Sequence, residues 1–404
     1  MRIDALRPAI GPSPTTPAAA NAGHRLLLVD RLRGLMIVLM VLDHVRDYFH
    51  TDALLYSPTD PARTTVALFA TRWITHLCAP TFVFLAGASV YLQRARSADV
   101  GAVARFALVR GLWLIGLELT LIAFAFNFAW PFVFLQVIWA IGLGLVLLSA
   151  LVWLPPRAVL ALGVAIVAGH DLLAPVSADA LGGFAPAWRL LMEPGGVAPL
   201  PGFVAYPALP WFGIMALGYG LGGLWLQPAQ RRDRLLVTGG LLAIAAFAVL
   251  RALNGYGDPR AWIAQADATR TAMAFLDLTK YPPSLMYALA TLGVALALAP
   301  ALQRLRGPVA RLLDTFGATP FFTYLLHIFL VHGLAMALAA AMGVDPTIFV
   351  NFIGDPSRLI DAGWGVSLPA VYAIWIAVLV ALMPASAWMW RKKRASRSVW
   401  LRLV

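Results

Sequence analysis

Between Val41 and His50 the sequence reads VLDHVRDYFH, and five residues able to do acid–base chemistry crowd the end of an apolar run. They are Asp43, His44, Arg46, Asp47 and His50. A helix continuing through this stretch places Asp43, Asp47 and His50 at i, i+4 and i+7, on one face. Arg46 then stands three residues from Asp43 and four from His50, and His44 three from Asp47. Carboxylates so placed neutralise Arg46 and hold an imidazole in one tautomer, which is how a general base is oriented. The competing reading is a solvated helix end at a membrane interface. Ionisable residues facing a membrane interior favour function.

A second group lies in TRWITHLCAPTFVFLAGAS, where Arg72 and His76 form an i, i+4 pair one turn before Pro80. Glu118 adds a carboxylate inside LWLIGLELTLIAF, with Asn127 and Gln136 near the following turn; cross-linking helices is its alternative role. Late in the chain, ATPFFTYLLHIFLVH sets Tyr324 and His327 three apart on one helical face, with His332 nearer an end. No H-E-x-x-H, G-x-S-x-G or Walker pattern is present, and the scattered histidines and carboxylates predict no metal site. The GYGLGG run from Gly218 to Gly223 follows no strand, so Gly218 and Gly222 read as a helix-packing pair rather than a phosphate loop. Cys78 is the single cysteine, which excludes an intrachain disulfide.

The elements positioning these residues are membrane helices. Of 404 residues 61% are hydrophobic and 12% charged, roughly half the charged fraction of soluble domains. Apolar runs repeat near the length a bilayer needs, with cores at 32–50, 74–93, 104–126, 131–153, 157–175, 207–227, 233–252, 284–302, 317–341 and 367–390. The expected fold is an all-α polytopic membrane protein of about ten transmembrane helices. Basic clusters flank alternate connections: Arg94, Arg96, Arg105 and Arg110, then Arg231 to Arg234, then Arg304 to Arg311, then RKKRASR at Arg391. Placing these inside makes both termini cytoplasmic and puts the long connections 176–206 and 253–283 outside. Arg46, Arg63 and Arg72 then lie on the outer side against the rule. Residues 1–24 read as a disordered cytoplasmic tail, 25–390 as the transmembrane domain and 391–404 as a basic cytoplasmic tail. The net charge of +12 is dispersed in loops rather than gathered in one stripe, so nucleic acid is not an expected partner. Fourteen tryptophans, many near span ends, suit interfacial belts.

DRLRGLMIVLMVLDHVRDYF followed by TRWITHLCAPTFVFLAGAS resembles the heparan-alpha-glucosaminide N-acetyltransferase catalytic-domain family in its compact bacterial form. RGLWLIGLELT, QVIWAIG, YPALPWFGIMALGYGLG, KYPPSLMYAL and FGATPFFTYLLHIFLVH extend the resemblance over nearly the whole chain after residue 25. The wider superfamily includes membrane acyltransferases that acetylate surface sugars. Its first helix has an Arg-Gly near the start and an essential His near the far end, which carries over to Arg33, Gly34 and His44. The lysosomal enzyme's catalytic His lies in the loop after the first span and maps by position near His50; His44, deeper and drier, is the preferred base.

The resemblance implies a membrane-embedded acyltransferase of the cell inner membrane. It would move an acyl group, acetyl, from a cytoplasmic CoA thioester to a sugar hydroxyl or amine at the outer face. His44 is expected as general base or as nucleophile, Asp43 or Asp47 as its orienting group, and Arg46 or Arg72 as oxyanion stabiliser. Arg105 and Arg110 are candidates to meet the phosphates of acetyl-CoA. Expected partners are the lipid bilayer, the CoA thioester, a sugar or glycolipid acceptor and, as a candidate, a second copy of the chain. The alternative is a proton-coupled transporter with a relay through Asp43, His76 and Glu118, although the two halves share no motif order.

Overall fold

The computed structural model describes residues 17–199 and 201–396, with side chains from residue 27. The expected tail up to residue 16 and the last part of the basic tail, including Arg397, lie outside the described residues. The protein is an all-α polytopic membrane protein. Helix α1 runs from Pro17 to Phe49, starting well before the expected core at 32. Helices α2 (Val66–Thr75) and α3 (Cys78–Arg94) form one bent span, and α4 (Val100–Leu117) continues through a π-turn, Glu118–Ile122, into α5 (Ala123–Asn127). Then come α6 (Val137–Leu151), α7 (Pro156–Gly169), the short α8 (Ala185–Leu191), α9 (Ala208–Gly220) and α10 (Ala229–Leu253). The remainder is α11 (Ala268–Leu276), α12 (Leu285–Leu302), α13 (Gly307–Ala318), α14 (Pro320–Ala341), α15 (Ser357–Asp361) and α16 (Leu368–Ala395).

Among the described residues, eight segments are long and apolar enough to cross a membrane. Two further expected spans correspond to the charge-bearing α1 and to α6, which has 15 residues. The expected span at 131–153 is shortened because Val133–Leu135 forms strand β1. This strand pairs in parallel with β3 (Gly202–Val204), which also pairs with β2 (Gly195–Gly196). Val133 to Leu135 had the hydrophobicity of a span, but backbone partners from the 176–206 connection captured them.

Helix starts are set locally. The Asp99 carboxylate accepts from Ala102 N at 2.9 Å to cap α4, and Ser284 Oγ accepts from Tyr287 N at 3.1 Å to cap α12. Pro156, Pro320 and Pro369 occupy first-turn positions of their helices, where no backbone donor is lost.

The helices pack in tight pairs, among them α1 with α13, α3 with α9, α4 with α6 and α10 with α12. Glycines set several of these approaches. A Cβ at Gly34 would overlap the Leu313 carbonyl, and one at Gly218 would overlap that of Phe84; Gly222 likewise lies against the Tyr91 ring. The glycine pair of GYGLGG is therefore a packing device. Gly34→Ala should force α1 and α13 apart and destabilise the protein by about 1–3 kcal/mol or more. Gly116→Ala, with open space around it, serves as the tolerated control. Thermal unfolding in detergent checks this, and equal midpoints for the two variants would contradict the packing account.

Candidate active site

The charged end of α1 is tied across the bundle. The two oxygens of Asp43 accept from Arg72 Nη1 at 2.7 and 2.9 Å, and Oδ1 also accepts from Thr75 Oγ1 at 2.6 Å. Arg46, fully buried, pairs with Asp43 at 2.8 Å and with Asp47 at 2.5 Å. Two guanidinium groups thus share two carboxylates, so the positive charge at this end of α1 is locally compensated. Arg72 meets Asp43 through Nη1 alone, and Nε of Arg46 is buried without a hydrogen-bond partner.

Neither aspartate is the hydrogen-bond partner of His44, contrary to the spacing argument. The partner is His327 of α14: His44 Nδ1 and His327 Nε2 are 2.7 Å apart, in near-parallel rings 5.0 Å between centroids. His327 Nδ1 lies 3.3 Å from the Thr323 carbonyl, which only accepts. In neutral rings, His327 Nδ1 therefore carries the hydrogen, its Nε2 accepts, and His44 Nδ1 donates. His44 Nε2 is left with its lone pair, the form a base requires. The edge of Phe126, 5.3 Å away, packs against the His44 ring.

His44 borders a cavity of about 290 Å³. Aromatic rings dominate its wall, including Tyr48, Phe126, Phe134, Tyr206 and Tyr281, with Asp43, Asp47, Arg72 and Lys280 as the charged members. Lys280 is buried and stands 5.0 Å from the Tyr281 ring centroid. Asp258 fixes its segment, accepting from Thr279 N at 2.8 Å and from Ser284 Oγ at 2.7 Å. Burial works against ionisation of the Tyr281 phenol, but the Lys280 and Arg72 charges outweigh it and hold its pKa below the ordinary value. Lys280, Tyr281 and Tyr206 escaped the residue-by-residue reading, although their segments, KYPPSLMYAL and YPALPWFG, carried the resemblance.

A second cavity, of about 450 Å³, opens at the opposite end of α1. Arg33, Arg110, Lys393 and Arg394 border it at that basic end, and Ile37, Met40, Leu114 and Val137 continue it along the helices. Arg33 donates to Ser89 Oγ at 2.5 Å and to Asp30 at 3.3 Å. Met40 of this cavity and His44 of the other are four residues apart on α1, one turn and about 6 Å of helix rise. Val137 and Gln136, adjacent in sequence, likewise face different cavities. The two spaces are separated by one turn of helix.

The remaining expected site residues fall elsewhere. Arg105 is exposed and pairs with Asp99 at 3.6 Å, outside the cavity that Arg110 borders. His50 accepts from Asp52 N at 3.1 Å, and His76 packs edge-on against Tyr287; neither borders either cavity. Asn127 does not line a cavity but anchors a loop: it donates to Asn351 at 2.8 Å and accepts from Ile353 N at 3.0 Å. That bonding holds Phe352 and Ile353 against the cavity at His44. Glu118 accepts from Gln136 N at 2.5 Å across the start of α6, a helix-terminal role. Asp43, His76 and Glu118 thus have separate direct partners. Lys393 and Arg394, read as orientation signals, border the basic cavity.

Residues 25–256 match the model of a family described as heparan-alpha-glucosaminide N-acetyltransferase, catalytic. No curated protein matches the chain.

Proposed function

Since the chain belongs to the heparan-alpha-glucosaminide N-acetyltransferase catalytic family, we propose that it transfers an acetyl group from acetyl-CoA, bound at the basic cavity, to a sugar hydroxyl or amine in the aromatic cavity. The observation carrying this reading is the pair of cavities meeting across one turn of α1 at His44. The basic end offers guanidinium and ammonium groups to phosphates, its apolar length suits a pantetheine arm, and aromatic walls suit the faces of a sugar ring. The distribution of Arg and Lys supports a cytoplasmic basic face with the aromatic cavity outside, and the membrane in this reading is the cell inner membrane.

His44 Nε2 takes the acceptor's proton as the acceptor oxygen or nitrogen attacks the thioester carbonyl, while His327 holds the ring in place. Two cavities able to be filled together favour direct transfer in a ternary complex over an acyl-imidazole. Arg110 and Lys393 hold the donor, and Lys280 and the aromatic wall hold the acceptor.

Acetyl-CoA should stabilise the detergent-purified protein, by roughly 2.7 kcal/mol at about 100 Kd, and acetate should do less. Arg110→Ala should weaken that binding about tenfold or more, the loss of a charged hydrogen bond. A thermal midpoint unmoved by acetyl-CoA or longer acyl-CoA would end the donor reading and leave the transporter reading in its place.

A further inference from the structure

Arg46 borders neither cavity and Arg72 only the aromatic one, so negative charge forming on a thioester oxygen in the basic-end cavity calls for a donor on that cavity's own wall. Tyr324 supplies a candidate on independent grounds. It belongs to α14, one turn before His327, and the two rings are 5.5 Å apart. It also borders the basic-end cavity, together with apolar side chains that include Met40, Leu114 and Val137. Its hydroxyl is buried and has no hydrogen-bond partner. Glu118 Oε2 is also without a partner, so the two are not bonded to each other. A buried phenol almost always finds an acceptor, and one that has none on a cavity wall is suited to an acceptor that arrives with a ligand.

We propose that Tyr324 is a catalytic hydrogen-bond donor to the acyl carbonyl oxygen of the thioester, the oxyanion-stabilising group of this site. This rests on the acetyl-CoA reading above. As the acceptor attacks, a new C–O or C–N bond forms and the carbonyl π electrons move onto the oxygen, where the Tyr324 O–H meets them. The acceptor's proton passes to His44 Nε2. The oxygen's electron pair then re-forms the C=O bond of the acetylated product as the C–S bond breaks, sulfur leaves with its electron pair, and the proton held by His44 ends on the thiolate to give free CoA. The phenol donates without transferring its own proton. Gln136 Nε2, another buried donor without a partner, belongs to a residue that borders the cavity at His44 instead.

The test uses full-length protein in detergent with acetyl-CoA labelled with carbon-13 at the carbonyl. Isotope-edited infrared spectra should show the bound thioester carbonyl at lower frequency than the free one, because a strong donor polarises it. Tyr324→Phe should return the band toward the free position while acetyl-CoA still raises the thermal midpoint. CoA release in the presence of acceptor-containing membranes should fall by about 10²–10³. Without ligand the variant should be as stable as wild type, since no bonded hydroxyl is removed; a structural role would lower that stability instead. Lack of acetyl-CoA binding to the wild type overturns the donor reading and this inference with it. Binding with an unshifted wild-type carbonyl overturns the inference alone, and that measurement requires no variant. A shifted band unchanged in Tyr324→Phe also overturns it.

Discussion

His44→Ala should lower acetyl transfer by about 10²–10⁴ while leaving the acetyl-CoA-induced thermal shift intact. The expectation follows from the tautomer that the His327 pair imposes: His44 Nε2 is the unprotonated atom of a ring that borders the aromatic cavity. A loss well beyond that range, with an acetylated protein trapped in the remaining variants, would instead identify a nucleophile. His327→Ala should produce an intermediate loss, because the imidazole remains but is no longer held in one tautomer and orientation. His50→Ala should retain near-wild-type turnover, since His50 borders neither cavity. Thiol release from acetyl-CoA by purified variants provides the measurement. Turnover retained in His44→Ala but lost in His50→Ala would move the base to the loop after α1.

Asp43→Asn should be chiefly a stability mutation. The carboxylate faces the buried Arg46 guanidinium and the largely covered one of Arg72, and replacing it leaves both with one shared charge missing. Removing one partner of a buried ion pair costs about 3–5 kcal/mol, because the remaining charge stays buried uncompensated. Asp47→Asn should cost no more than about 1 kcal/mol, since its side chain is 43% exposed and water screens the pair. Thermal unfolding in detergent separates the two outcomes. A fully stable Asp43→Asn variant that lost transfer would restore the sequence-based role for Asp43 as the group orienting the base. Replacing both members in Asp43→Leu/Arg72→Met should recover part of the stability, as apolar groups of similar volume often substitute for a buried pair.

Local spacing determined a good deal. Repeated apolar runs, the scarcity of charge and the Arg–Lys clusters defined an all-α polytopic membrane chain, and helical periodicity placed Asp43, Arg46 and Asp47 close enough to pair. The glycines of the Arg-Gly and GYGLGG stretches were legible as close approaches because small residues between membrane helices have few other uses. The tertiary structure decided which partners won. Asp43 turned toward Arg72, and His44 met His327, 283 positions later in the chain. No periodicity within one helix encodes a pairing between helices, so the carboxylates nearest in sequence looked like the orienting groups when a distant imidazole filled that place. The same limit hid Lys280 and Lys393, which stood in sequence as a loop lysine and a terminal charge. A cavity is the space left when several helices fail to close upon one another. Its walls come from residues chosen by packing angle and depth, which a single sequence states only one helix at a time.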